Sequence, residues 1–261
     1  MTVPNLARTL AQIVLAVAAA AVFPKPANAA NLIAAFGDSI TVGTTASVSC
    51  KFTVLTPVYA CPNGTDYLSV AAQILDRYEP TAYQNLSFRG ASTVSVPLYQ
   101  VPFLSPAATA VVLYVGSGDR LRVADNTEYT LSQWKQDFDW MVAAVHQQAP
   151  HARVILVALP NSAYVPAYSR GPDARQYFSP ERRRQVSEAV LAMDAYINAH
   201  GEDVLDLLCS PDLYEDKTLE GGLWYPNDAG FADIGKRIAE IVRSKTTVKG
   251  SSSCPPYTVT P

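Results

Sequence analysis

A continuous hydrophobic run at Ala110–Val115 places the strongest limit on what this chain can fold into. Gly116 follows the run directly. A strand with no polar positions has no face suited to water, so the run predicts a strand buried on both faces, as in a parallel sheet. Other largely apolar runs predict further strands at Leu32–Phe36, Ala82–Leu86, Arg153–Leu159 and Asp203–Leu208.

Segments with helical spacing lie between the predicted strands. In the clearest of them, Leu131–Gln148, the apolar side chains fall on one stripe. The other predicted helices are Asp66–Tyr78, Pro180–His200 and Asp228–Ser244. Strands that alternate with helices predict an α/β fold, here a three-layer α/β/α sandwich with a parallel sheet. Ligands of such sheets bind at the carboxyl ends of the strands.

The first residues have the layout of a secretory signal peptide. Arg8 precedes the apolar run Leu10–Phe23, and the small-residue site Ala27-Asn28-Ala29 follows. Because the run is shorter than the roughly 20 residues that a membrane-spanning helix needs, it predicts cleavage after Ala29 and no stable membrane anchor. We therefore expect a secreted or extracytoplasmic protein with a signal peptide at 1–29, one domain at 30–245 and an irregular tail at 246–261.

Removing this leader would take away Arg8 and Lys25 but no acidic residue, which lowers the formal net charge from −3 to −5. An acidic surface argues against nucleic acid and anionic membranes as partners. Gly116-Ser117-Gly118 could begin a dinucleotide-binding motif. However, the third glycine is absent and no helix is predicted directly after it, so we expect no cofactor.

The cysteines predict disulfides. In an exported chain an even number favours pairing, and four cysteines allow three pairings. The interpretation we favour joins Cys50 to Cys61 in a short loop and Cys209 to Cys254, which would tie the tail to the domain. No metal site is expected, because the chain has neither a Cys-x-x-Cys motif nor clustered histidines.

The turn Gly37-Asp38-Ser39 follows the first predicted strand at its carboxyl end. A serine there projects from the reactive edge of the sheet, and neighbouring backbone N–H groups can help to hold an oxyanion. Gly37 permits the tight turn. The alternative is an ordinary strand-to-helix turn in which Ser39 caps a helix.

Four segments resemble, in order, the sequence blocks of the SGNH or GDSL hydrolases: Gly37-Asp38-Ser39, Asn85–Ser92, Gly116–Asp119 and Pro226–Gly230. The resemblance covers roughly the whole mature chain. It implies the flavodoxin-like SGNH hydrolase fold for residues 30–245. It further implies that Ser39 is the nucleophile and that the Gly90 N–H helps to form the oxyanion hole.

Three positions depart from the family pattern. The family has an oxyanion-binding Asn where this chain has Gly118, a triad Asp at Gly222 and the catalytic His at Tyr225. A tyrosine hydroxyl is a poor proton acceptor at neutral pH. The resemblance therefore implies an esterase for acyl or acetyl esters with weak or altered activity. The alternative is a catalytically inactive SGNH-like module that binds a glycan or acyl ligand.

No other residue is an obvious base. The three histidines, His146, His151 and His200, fall at helix ends or ahead of a strand, so we expect them at the opposite edge of the sheet from Ser39. The carboxylates near the site have pKa values poorly matched to the task. The nearby carboxylates are Asp38, Asp119, Glu220 and Asp228.

Aromatic residues concentrate on connections at the reactive edge. We expect Asp38, Trp224 and Tyr225 to contribute to binding a small-molecule or carbohydrate ester, in a monomer. Alternatively, the aromatic side chains, including those at 164, 168, 177 and 178, pack over the sheet end as a small core. The sequons at Asn63 and Asn85 would matter only in a eukaryotic secretory route.

Overall fold

The predicted strands form one parallel sheet. The computed structural model describes residues 29–48, 63–161, 179–208, 219–220 and 225–250. Its strands are β1 Asn31–Gly37, β2 Thr81–Asn85, β3 Ala110–Tyr114, β4 Arg153–Ala158 and β5 Asp203–Asp206. They lie in the order β2-β1-β3-β4-β5 and every pairing is parallel. The order reverses between β1 and β3, which is where such sheets bind ligands.

Burial along β3 explains its continuous hydrophobic run. Each of its residues is buried, and it pairs with β1 on one side and β4 on the other. In register, Gly37 at the end of β1 lies opposite Tyr114 at the end of β3. The turns that follow these two strands therefore leave the sheet side by side.

The described residues include six helices: α1 Tyr67–Asp76, α2 Ser95–Tyr99, α3 Asp119–Asp125, α4 Leu131–Gln148, α5 Pro180–Ala199 and α6 Asp228–Arg243. The structure also contains a 3₁₀ turn at Val101–Phe103 and an antiparallel pair, β6 Leu219–Glu220 with β7 Tyr225–Pro226. Among the described residues, none of the helices is apolar over enough of its length to cross a membrane.

The helices pack in two groups, which confirms the three-layer α/β/α sandwich. One group is α1 against α6, and the other is α4 against α5 and α3 against α5. The predicted apolar stripe of α4 is buried, and its Trp134 ring packs on Phe138 with centroids 5.0 Å apart. Tyr196 of α5 meets Trp134 edge-on at 6.0 Å. A capping box between Thr130 and Gln133 begins α4.

One expectation about local structure was wrong. No helix was expected directly after Gly116-Ser117-Gly118, yet α3 begins at Asp119. The helix has seven residues, too few to show a periodic apolar pattern. It is supported instead by packing against α5, where Arg182 makes an ion pair with Asp125 at 2.7 Å and donates to the Leu121 carbonyl at 3.1 Å.

The segment after α6 lies against β5. The Val204 N–H donates to the Val248 carbonyl at 2.9 Å, and the Arg153 guanidinium joins the Asp203 carboxylate to the Thr246 carbonyl. Burial acts to raise the pKa of Asp203, but the hydrogen bonds from Arg153 and the Val248 N–H outweigh it and the pKa is lowered. All four cysteines and the predicted leader through residue 28 lie outside the described residues, so both remain predictions.

Candidate active site

Buried hydrogen bonds hold the turn that carries Ser39. The Gln100 side-chain amide pairs with the backbone of Gly37, accepting from its N–H at 3.0 Å and donating to its carbonyl at 3.1 Å. The Ile40 N–H donates to the Asp38 carboxylate at 3.0 Å, and the Thr41 hydroxyl donates to the Tyr114 carbonyl at 3.2 Å. Ser39 therefore leaves β1 on a backbone that is fixed on both sides.

Gly37 is required by close packing. A Cβ at this position would overlap the Thr41 hydroxyl and the Tyr114 carbonyl oxygen. The small residue thus lets the end of β1 approach the end of β3, which brings the Ser39 turn against the turn after β3.

The second block wraps around the first. The Asn85 side chain is buried, donates to the Thr41 carbonyl at 2.8 Å and accepts from the Ser87 N–H at 3.1 Å. In the folded chain this side chain is therefore not accessible for glycosylation, whereas Asn63 is exposed. Gly90 follows with φ of +78°, a left-handed conformation that favours glycine.

Asp119 joins the loop after β3 to the loop after β2. Its carboxylate is fully buried and accepts from the Thr93 N–H at 2.9 Å. Burial raises the pKa of Asp119. The hydrogen bonds from Thr93 and the charge of Arg122 act to lower this pKa, but the effect of burial is larger. This carboxyl group therefore positions two walls of the site.

Gly118, at the family's Asn position, leaves open space. Its backbone is right-handed helical (φ −83°, ψ −37°), and a Cβ built on it would contact no atom within 4 Å. The structure can therefore accommodate a side chain here. Packing does not exclude the Asn side-chain amide that the family has at this position.

The last block is tied to the Ser39 loop by two contacts. Thr45 donates to the Pro226 carbonyl at 2.5 Å, and the Ser47 N–H donates to the Asp228 carboxylate at 2.9 Å. Asn227 caps α6 by accepting from the N–H groups of residues 229 and 230. These bonds fix Tyr225, the residue at the family's His position, at the edge of the site.

The blocks meet around a cleft of about 440 Å³. Its lining includes Ser39, Gly90, Gly118 and Tyr225. Asp38, predicted to contribute to binding, also lines the cleft, so the structure brings together five of the sequence-predicted positions. Gly222 and Trp224 lie outside the described residues. The lining also includes two charged residues that the sequence analysis did not single out, Arg120 and Arg122. Their position directly after the third block was the sequence signal that could have placed them at the site.

All three histidines are far from this cleft along the strand direction. His146 bonds to Glu202 at 2.8 Å just ahead of β5, and His151 lies just ahead of β4. His200 ends α5, 3.5 Å from Asp139. They occupy the amino edge of the parallel sheet, whereas Ser39 follows the carboxyl end of β1. The histidines therefore cannot serve as the base for Ser39.

Two carboxyl groups are buried near the carboxyl ends of β1 and β4. Asp38 is 3% exposed, and burial raises its pKa against the opposing effects of the Ile40 N–H, Ser117 and Arg120. Asp194 of α5 is fully buried and accepts from the Leu159 N–H at 2.8 Å. Burial raises the pKa of Asp194 well above its usual value, against the effects of that N–H and of Arg120.

Asp194→Asn is expected to stabilise the chain near neutral pH. Asn keeps the acceptor for the Leu159 N–H but carries no charge. Because the folded-state pKa is raised, the folded chain keeps a proton that the unfolded chain releases near pH 3.9. Stability therefore falls as pH rises above that value, by about 1.4 kcal/mol for each pH unit between the unfolded and folded pKa values.

Urea unfolding between about pH 4 and about pH 8 measures this effect. The advantage of Asp194→Asn should grow with pH and shrink toward about pH 4. Glu240→Gln, which changes an exposed carboxylate of α6, serves as the control and should show no such trend. An Asp194→Asn advantage that is the same at both ends of the range would contradict the assignment.

Sequence and fold comparisons agree with this geometry. The family model described as GDSL-like Lipase/Acylhydrolase matches residues 35–232, more than half of the chain. The chain belongs to the GDSL-like lipase/acylhydrolase family. The match begins within β1 and ends within α6, so this GDSL-like family covers all four blocks. Among curated proteins, no relative matches the sequence.

Solved structures show the same fold. A lipase/acylhydrolase from Enterococcus faecalis is 20% identical, with a TM-score of 0.53 over 81% of this chain and 95% of its own. A phospholipase A1 from Streptomyces albidoflavus is 16% identical, with a TM-score of 0.55 over 83% of this chain and 100% of its own. An acetylxylan esterase from Geobacillus stearothermophilus is 14% identical, with a TM-score of 0.54 over 86% of this chain and 99% of its own.

Proposed function

We propose that this GDSL-like protein is a secreted esterase whose Ser39 attacks acyl or acetyl esters slowly. The Ser39 oxygen would add to the ester carbonyl, and the Gly90 N–H would donate to the oxyanion. Because no histidine reaches the cleft, the serine proton would pass to water. The tetrahedral adduct would then break its bond to the alkoxide oxygen, which takes a proton from water and leaves as the alcohol. A second water would hydrolyse the acyl-Ser39 ester, releasing the acid and restoring the serine. The observation that carries the proposal is that Ser39, Gly90 and Tyr225 line one cleft.

Known magnitudes set the expected rate. Serine hydrolases that lose triad members keep about 10³- to 10⁴-fold acceleration over water from the oxyanion hole and substrate binding. The loss of one oxyanion donor costs about a further 10²- to 10³-fold. With Gly118, Gly222 and Tyr225 at the three family positions, the acceleration that remains is small.

The position of the three histidines also favours a second candidate function. All three lie across the sheet from Ser39, so the chain could instead be a catalytically inactive module that binds a glycan or acyl ligand in the same cleft. This candidate predicts ligand binding without turnover that depends on Ser39.

Ser39→Ala is expected to remove the slow hydrolysis of short p-nitrophenyl esters, leaving only the buffer rate. Release of p-nitrophenol measures this, and Ser132→Ala, an exposed serine at the start of α4, is the matched control that should leave the rate unchanged. Equal rates for the parent chain and Ser39→Ala would reject the proposed site. Ligand binding with no turnover in the parent chain would favour the inactive module.

A further inference from the structure

Two arginines line the Ser39 cleft of a chain whose formal net charge is negative. Arg120 is half-buried in the first turn of α3, and Arg122 follows two residues later with a side chain that is 53% exposed. Neither is needed for the hydrolytic steps above. The cleft therefore carries positive charge that the proposed reaction does not use.

The Arg120 Nε lacks a hydrogen-bond acceptor in the described part of the chain. This nitrogen is buried. The charge of the Arg120 guanidinium nevertheless reaches Asp38 and Asp194, whose pKa values it lowers against the larger effect of burial. A buried guanidinium N–H without an acceptor is costly. An anion bound in the cleft would offset the charge of this guanidinium.

Arg122 is held in place by a ring contact, and its ion pair with a carboxylate is long. Its guanidinium stacks over the Tyr129 ring, 4.1 Å from the centroid, and its nearest contact with Asp119 is 3.8 Å. That carboxyl group already accepts from the Thr93 N–H. Stacking fixes the plane of the guanidinium and leaves its edge able to donate to a ligand.

The acidic residues of the cleft do not cancel this charge at its surface. Asp38 and Asp119 also line the cleft, but Asp38 is 3% exposed and Asp119 is fully buried, so their carboxyl groups present little surface to a ligand. Burial also raises the pKa of both, which favours their neutral forms. The two arginine side chains are therefore more exposed than the two carboxyl groups of the lining.

We propose that the Ser39 cleft selects esters that carry a negatively charged group, held by Arg120 and Arg122. This inference rests on the proposed function, because it names the class of ester that enters the same site. The shared chemistry is a carboxylate or phosphate oxygen that accepts charge-assisted hydrogen bonds from the guanidinium groups. An uncharged ester of the same size lacks these bonds.

Isothermal titration of the full mature chain with monomethyl succinate and dimethyl succinate tests the inference. The two ligands differ in one negative charge, and we expect the monoester to bind about 10-fold to 100-fold more tightly. Arg120→Gln and Arg122→Gln should each reduce that preference to about threefold or less, while Arg120→Lys should keep most of it. Arg77→Gln, an exposed arginine after α1, is the matched control and should leave the preference unchanged.

Inorganic phosphate is the second probe. If phosphate displaces bound monomethyl succinate at lower concentrations than succinate does, the ligand is a phosphorylated ester. The reverse order would identify a carboxylated ester. Equal affinity for the two methyl esters, no binding of either ester, or a preference that survives both glutamine variants would overturn the inference. Covalent labelling of Ser39 by a neutral fluorophosphonate reports separately on the proposed function, since it does not require an anionic ligand.

Discussion

Combining Gly118→Asn, Gly222→Asp and Tyr225→His is expected to raise Ser39-dependent ester hydrolysis by at least about 100-fold. A complete triad and oxyanion hole are worth far more than this in serine hydrolases, so imperfect geometry still leaves a large gain. Initial rates with p-nitrophenyl acetate measure it. The gain must disappear when Ser39→Ala is added to the three changes.

The structure supports two of these three positions directly. Tyr225 and Ser39 line the same cleft, and the bonds from Thr45 to Pro226 and from Ser47 to Asp228 fix their loops together. Gly118 has helical backbone angles and open space where a side chain would begin. If the folded triple variant showed no gain, the alignment of the blocks on this chain would be wrong.

Gly37→Ala is expected to cost about 3 kcal/mol of folding free energy. The added methyl group would overlap the Thr41 hydroxyl and the Tyr114 carbonyl, which belong to neighbouring buried elements that cannot move apart independently. Urea unfolding followed by circular dichroism measures the change.

Gly118→Ala is the matched control for Gly37→Ala. It makes the same chemical change in the turn after the adjacent strand, where a Cβ meets no atom within 4 Å. We expect its stability to stay within about 1 kcal/mol of the parent chain. Similar losses for the two variants would contradict the steric role assigned to Gly37.

The sheet could be predicted because its strands are buried on both faces. The Ala110–Val115 run has no polar residue to place in water, and β3 is indeed buried along its length. Helix α4 was equally clear, since its apolar stripe is long enough to show the helical period. The helix α3 was missed because seven residues hold too little of that period.

The sequence predicted where the site lies, but it did not predict which charged side chains surround it. Ser39, Gly90, Gly118 and Tyr225 came from block order, and the structure places all four on one cleft. Asp194 was missed because its role depends on tertiary packing, in which α5 places its carboxyl against the Leu159 N–H. The availability of Arg120 likewise follows from its surroundings in the fold, which spacing in the sequence does not reveal.

The rate at which a fluorophosphonate labels Ser39 shows whether the cleft keeps its nucleophile position but lacks the base. Intact-mass spectrometry follows the adduct, and peptide mapping locates it. We expect labelling of the parent chain to be at least about 100-fold slower than labelling of the variant with Gly118→Asn, Gly222→Asp and Tyr225→His. Labelling of the parent chain as fast as that of the variant would show that Ser39 is already activated and would contradict this expectation.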